Sequence, residues 1–166
     1  MKRNPLLILL LLCCLALAGC SQKGTTGNEW LLQQEPYCEE LQEICSSIDD
    51  VYSLYLLGSM ETNDYCNEIQ LLQVQALACS AQYEQRKKDA DILPASHSYA
   101  SKAGIDALEN SNRTIQTFLE KSLETVDCET LARLYVDFQD EMLTNLATYI
   151  TSYNLIQAEK GGSENE

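Results

Sequence analysis

Apolar residues recur along most of this chain at alternating steps of four and three, the spacing of a helix that packs lengthwise against its neighbours. We call each series of such residues the seam of its helix. The first seam consists of Tyr37, Leu41, Ile44, Ile48, Val51 and Tyr55, and the second of Tyr65, Ile69, Leu72, Ala76, Cys79 and Tyr83. A third, sparser seam consists of Ile105, Leu108, Ile115, Leu119 and Val126. The fourth consists of Leu131, Tyr135, Phe138, Met142, Leu146, Tyr149, Tyr153 and Ile156.

Residues with known effects on helix ends separate the four seams. Those suited to begin a helix are Pro36, Ser59 or Thr62, Ser96 or Ser98, and Asp127. Those suited to end one are Gly58 and Pro94. The third seam is diluted by polar and small residues, namely Gly104, Ser111, Asn112 and Ser122. Whether residues 30–32 extend the first helix upstream across Pro36 is left open by the pattern.

Four helices of roughly 25–30 residues joined by short turns predict an all-α fold, an up-down-up-down antiparallel four-helix bundle over residues 29–160. No pair of alternating runs is joined by a hairpin dipeptide, so the sequence carries no competing strand signal. After the bundle, two glycines followed by acidic C-terminal residues predict a disordered tail at residues 161–166.

The N-terminus combines two basic residues with an apolar run and a small-residue box. Lys2 and Arg3 precede the run at residues 6–18, which is shorter than the roughly 20 residues of a spanning helix. The box is Leu17-Ala18-Gly19-Cys20. This stretch resembles the bacterial lipoprotein signal, which is cleaved by the type II signal peptidase. The alternative is an ordinary secretory signal with a cysteine there by chance.

The resemblance implies that residues 1–19 are removed and that Cys20 carries a thioether-linked diacylglycerol, usually with a third acyl chain on its amine. Several acyl chains anchor a protein stably to a membrane. Residues 20–28 would then be the lipidated cysteine and a flexible linker, since residues 21–28 contain no apolar side chain and have a reach of about 15 Å. We therefore expect a protein of the cell envelope that faces away from the cytoplasm.

The charge is strongly acidic. The formal net charge is −14, and without Lys2 and Arg3 it becomes −16. Phosphates repel such a chain, so we expect no nucleic-acid partner, and the lipid on Cys20 is the only expected membrane contact. The charge can serve solubility alone, or it can attract a basic protein partner. We expect the protein itself to be a monomer.

Five cysteines follow Cys20 in the chain, namely Cys38, Cys45, Cys66, Cys79 and Cys128. Disulfides are permitted outside the cytoplasm, and an odd count leaves at least one thiol unpaired. Heights along the helices favour Cys38–Cys79 and Cys66–Cys128, although the second pair joins helices that are diagonal in a regular bundle. The alternatives are inert buried thiols and a soft-metal site.

No arrangement of residues in the chain carries a recognisable catalytic chemistry. The single histidine, His97, lies in a loop, and no haem-attachment motif, di-iron motif, phosphate loop or nucleophile elbow is present. We predict no enzyme activity, no cofactor and an exposed His97. The chain also has nine tyrosines, seven of them on the seams. This favours core positions, with hydroxyls at the bundle edge or bonded to a neighbour's carbonyl, over an aromatic-lined ligand cavity.

Acidic residues cluster near the two turns predicted to lie farthest from the membrane. The candidate partner surface consists of Asp64, Glu68, Glu120, Glu124, Asp127 and Glu129. Glu120 and Glu124 lie near a helix C-terminus, where the helix dipole disfavours acids, so helix preference does not account for them. The sequence thus predicts a non-catalytic protein-interaction module of the immunity, inhibitor, exclusion or envelope-assembly type. The alternative is a bundle that binds a small ligand or a soft metal through its thiols.

Overall fold

The computed structural model describes residues 24–92, 97–125 and 127–163. Those residues form five helices and no strand: α1 (Gly27–Leu32), α2 (Glu35–Leu56), α3 (Thr62–Asp89), α4 (Tyr99–Glu124) and α5 (Cys128–Ser163). The all-helical prediction is confirmed. Some predictions concern residues outside the described part of the chain. These are the predicted signal with Cys20, Pro94 as a helix end, Ser96 as a helix start, the seam residue Val126, and residues 164–166 of the tail.

The seams of α2 and α3 form the core as predicted. All six seam residues of α3 are buried, and so are five of the six in α2, with Tyr55 half-buried. Pro36 lies in the first turn of α2, where a missing N–H costs nothing. Gly58 follows the helix with φ 67°, a left-handed conformation that favours glycine. The start of α3 differs from the prediction, because Glu61 rather than Ser59 or Thr62 is its N-cap, without a side-chain hydrogen bond.

Helix α4 is a full-length helix whose buried face is made partly of small residues. Gly104, Ser111 and Ser122, which appeared to dilute the seam, are all buried. The hydroxyls of both serines donate to carbonyls of their own helix, Ser111 to Ala107 and Ser122 to Leu119, each at 3.0 Å. Burial of these hydroxyls therefore leaves no donor unsatisfied, and the small side chains let neighbouring helices approach closely.

Helix α1 begins inside the segment predicted as a flexible linker. The Thr26 hydroxyl accepts from the Glu29 N–H at 3.2 Å, and Glu29 Oε2 accepts from the Thr26 N–H at 2.9 Å, a complete capping box. Trp30 and Leu31 are buried. The chain then leaves the helix at Gln33 and re-enters helix at Glu35, so residues 30–32 belong to the separate short helix α1 and do not extend α2. The linker prediction, which ran to residue 28, extended too far.

Helix α5 is the longest element, with 36 residues. Its start agrees with the prediction, since Asp127 Oδ2 accepts from the Thr130 N–H at 2.9 Å. Its end does not, because the helix continues through Gly161 to Ser163, where a disordered tail was predicted.

The helices pack around one core. Helix α4 lies against α5 over a long interface, α3 lies against both α2 and α4, and α1 contacts α4 and α5. The backbones of α2 and α5 approach each other at few points. Side chains bridge that gap at one end, where the rings of Tyr52 and Tyr135 stack with centroids 3.7 Å apart. The gap leaves a cleft elsewhere along the same pair of helices.

Candidate functional site

The six predicted carboxylates are all exposed, and they gather at one end of the molecule. Ser80 of α3 accepts a hydrogen bond from Asn112 of α4 at 2.7 Å, and Lys87 of α3 pairs with Glu109 of α4. As the α3 numbers rise the α4 numbers fall, so the start of α3 lies beside the end of α4. Helix α5 begins directly after that end. We call the surface formed by Asp64, Glu68, Glu120, Glu124, Asp127 and Glu129 the acidic end.

Two of the six carboxylates have local structural roles. Asp127 accepts hydrogen bonds from the hydroxyl and the N–H of Thr130, and these bonds lower the pKa of its carboxyl. Glu129 pairs with Arg133 one turn along α5, an exposed pair of the kind that contributes little stability. Within the described chain, no hydrogen bond or ion pair engages the carboxylates of the other four, so these remain available for a partner.

The sequence did not lead us to expect an apolar patch that lies at the acidic end. Leu54, Leu56 and Leu57 are exposed at the end of α2, Leu57 to 78 %, next to the turn that leads into α3. All three fall off the seam of α2, and that was the available signal, because the seam marks the face that neighbouring helices cover first. Exposed leucines next to carboxylates form a surface that is both apolar and negative.

One acid near this end is not available to a partner. Asp49 Oδ1 accepts from the Tyr135 hydroxyl and from Gln139 Nε2, each at 2.7 Å. These bonds tie α2 to α5 beside the stacked rings of Tyr52 and Tyr135. Asp49 therefore has a structural role.

All five described cysteines are free thiols, so neither predicted disulfide is present. The Cys79 thiol donates to Glu40 Oε2 at 3.3 Å in the groove between α2 and α3. Cys38 instead lines the cleft between α2 and α5, beside Tyr149. The two cysteines thus face different sides of α2. Cys66 is half-buried and Cys128 is exposed at the start of α5.

Three of these thiols are hard to ionise. Burial, with a smaller contribution from nearby carboxylates, raises the pKa of Cys38 to about 11 and the pKa values of Cys45 and Cys79 to about 12. The thiolate is the reactive and metal-binding form of cysteine, so these three side chains are inert near neutral pH.

In the part of the chain that is described, no three His, Cys, Asp or Glu side chains are grouped to hold an ion. His97 is exposed, as predicted, and lies close to Gly27 at the start of α1.

The tyrosines differ from the prediction in one respect. Their rings do lie in the core, and several stack, as Tyr37 does on Tyr83 with centroids 4.3 Å apart. The hydroxyls of Tyr37 and Tyr149, however, are buried without a hydrogen-bond partner rather than placed at the bundle edge. Buried polar groups without a partner are uncommon in folded proteins.

None of the described helices is long and apolar enough to cross a membrane. No protein-family model matches the chain, and comparisons with curated proteins and with solved structures found no match either.

Proposed function

We propose that this protein is a lipid-anchored lipoprotein of the cell envelope that faces away from the cytoplasm and acts as a non-catalytic protein-interaction module. In this proposal the acidic end docks a basic protein partner, as an immunity, inhibitor, exclusion or envelope-assembly protein would. The observation that carries it is the gathering of six exposed carboxylates from three helices at one end. The exposed leucines beside them supply the apolar centre that protein interfaces have.

The proposal also includes the arrangement of the helices. We propose that α2 to α5 form an up-down-up-down four-helix bundle and that α1 is an addition at the end nearest the membrane. Helix α3 has 28 residues, which corresponds to about 42 Å of helix. Cys20 precedes Gly24 by four residues, which span at most about 14 Å. A lipid on Cys20 would therefore hold the α1 end near the membrane and present the acidic end about 40 Å farther out.

Replacement of Cys20 tests the anchor. We expect Cys20→Ala to abolish lipidation and leave an uncleaved precursor, because the resemblance implies that the diacylglycerol is attached to the Cys20 thiol. The measurements are intact mass and partitioning between detergent and water. A Cys128→Ala variant is the control, since it removes an exposed thiol outside the box. A Cys20→Ala protein with wild-type mass and wild-type partitioning would rule out the anchor.

Charge reversal tests the docking surface. We expect the quadruple variant with Asp64, Glu68, Glu120 and Glu124 changed to Lys to associate with the partner at least about tenfold more slowly at low salt. The partner is first isolated by crosslinking and pull-down with the wild-type chain. Association rates are then measured at low and high salt, and the difference should shrink as salt screens the charges.

A matched control separates the acidic end from the net charge. Glu43, Glu84, Asp137 and Glu159 are exposed carboxylates elsewhere on the molecule. Their reversal to Lys changes the net charge by the same amount and should slow association far less. Equal rates for the two quadruple variants would mean that the carboxylates of the acidic end serve only solubility.

A further inference from the structure

A cleft opens between α2 and α5 at the end of the bundle opposite the acidic end. It encloses about 220 Å³. Helix α2 contributes residues from its first two turns and α5 contributes residues from its C-terminal half, and the lining includes Glu35, Cys38, Glu39, Tyr149, Ile150 and Tyr153. The cleft lies where the backbones of α2 and α5 approach each other at few points.

Two aromatic rings form one wall. The rings of Tyr149 and Tyr153 have centroids 6.0 Å apart and are inclined at 51°, so they make a corner rather than a flat stack. Tyr149 is only 4 % exposed, and its hydroxyl has no hydrogen-bond partner among the residues that the structure describes. Cys38, Tyr153 and Glu35 line the cleft beside Tyr149.

The opposite wall is acidic. Glu35 and Glu39 lie one turn apart on α2 with exposed carboxylates, and no described hydrogen bond or ion pair engages either one. Among the described residues, no Lys or Arg lines the cleft. Carboxylates with aromatic faces repel anions and attract cations, since the face of an aromatic ring carries partial negative charge. Ile150 adds an apolar surface on the α5 side.

We propose that this cleft binds a small organic cation, an ammonium or quaternary ammonium group on a short apolar body. The carboxylates of Glu35 and Glu39 face the charge, and the rings of Tyr149 and Tyr153 pack against its alkyl groups. The volume is below the roughly 300–1,000 Å³ of sites for drug-sized ligands, so the ligand is smaller than those. This site is separate from the acidic end and does not depend on the proposed docking function.

Binding is measured by isothermal titration calorimetry on the full mature chain with three probes, tetramethylammonium, choline and n-butylamine. The control ligand is 3,3-dimethylbutan-1-ol, which has the shape of choline without its charge. We expect at least one cation to bind saturably and the neutral alcohol to bind at least about tenfold more weakly than choline. No saturation with any of the three cations up to about 10 mM, or equal binding of choline and the alcohol, would overturn the proposal.

Variants locate the binding. We expect Glu35→Gln with Glu39→Gln to weaken binding of the best cation about tenfold, and Tyr153→Leu to weaken it about fivefold. The control is Glu43→Gln with Asp50→Asn, which removes two exposed carboxylates of α2 outside the cleft. If circular dichroism shows that Tyr153→Leu does not fold, the variant with Glu35→Gln and Glu39→Gln still tests whether the cation binds in the cleft. Equal affinities for the cleft pair and the control pair would show that the cation does not bind in the cleft.

Discussion

The free energy of unfolding should fall steeply as the pH rises above about 9, because buried thiols stay protonated in the folded chain. Burial raises the pKa of Cys38 from 9.0 to about 11, and those of Cys45 and Cys79 to about 12. At pH values between the unfolded and the folded pKa of a thiol, that thiol loses its proton in the unfolded chain and keeps it in the folded chain. The unfolded state therefore binds fewer protons, and stability that is fully present below pH 9 is lost as the pH rises.

Each such thiol contributes a slope of up to about 1.4 kcal/mol per pH unit, so the three together contribute up to about 4 kcal/mol per pH unit. Tyr65 adds to the loss above pH 10, because burial raises its pKa to about 12. The measurement is urea unfolding under reducing conditions at pH values of about 8, 9, 10 and 11.

A variant without two of the thiols tests this origin of the pH dependence. Cys38→Ala with Cys79→Ala should be less stable at pH 8, because it removes buried side chains, and its dependence on pH should be flatter by up to about 3 kcal/mol per pH unit. Cys128→Ala should keep the wild-type slope, since that side chain is exposed. Parallel curves for the double variant and the wild type would show that these thiols do not govern alkaline unfolding.

Gly104→Ala should destabilise the protein by about 1–3 kcal/mol, although alanine is the better helix former. A Cβ at this position would lie 2.5 Å from Leu31 Cδ2 and 2.9 Å from Ser152 Cβ. Both neighbours are buried, Leu31 completely, so neither can move aside without disturbing the contact of α4 with α1 and α5. Urea unfolding at neutral pH gives the change in free energy.

The matched control is Gly161→Ala, on the last turns of α5. A Cβ there would have no atom within 4 Å. We expect this variant to unfold at the same free energy or up to about 1 kcal/mol higher, the difference in helix propensity. If Gly104→Ala were as stable as Gly161→Ala, the close approach at α4 would have to be looser than the distances indicate.

The long helices could be predicted because their seams alternate with polar residues over many turns. Tyr65 to Tyr83 in α3 is the clearest case, with every predicted seam residue buried. Helix α4 was read less well because periodicity counts apolar residues, whereas Gly104, Ser111 and Ser122 are buried for their small size. The start of α1 was missed although Thr26 and Glu29 have the spacing of a capping box, because the glycines around them indicated a linker.

The acidic end could be predicted from helix ends and turns alone, since these determine which residues share an end. The disulfides could not. Positions along two antiparallel helices give the height of each cysteine, but not the side of the helix that it faces. Cys38 follows the seam residue Tyr37 by one position, a rotation of about 100° that turns it towards α5 and away from Cys79. The cleft was missed for a related reason, because a seam does not show which pair of helices packs most loosely.

The position of α1 has a mechanical consequence if the protein is anchored through Cys20 and held by a partner at the acidic end. Tension then enters the domain at α1, whose ties to the rest include the hydrogen bond from the Thr25 N–H to the Ala90 carbonyl and the contact of Leu31 with α4. Contacts that are loaded from one end break one after another. The seams of the four long helices lie parallel to the applied force, so their contacts bear it together. Helix α1 should therefore detach from the bundle before the long helices separate. Release of residues 24–34 would lengthen the tether by up to about 35 Å while the bundle stays folded.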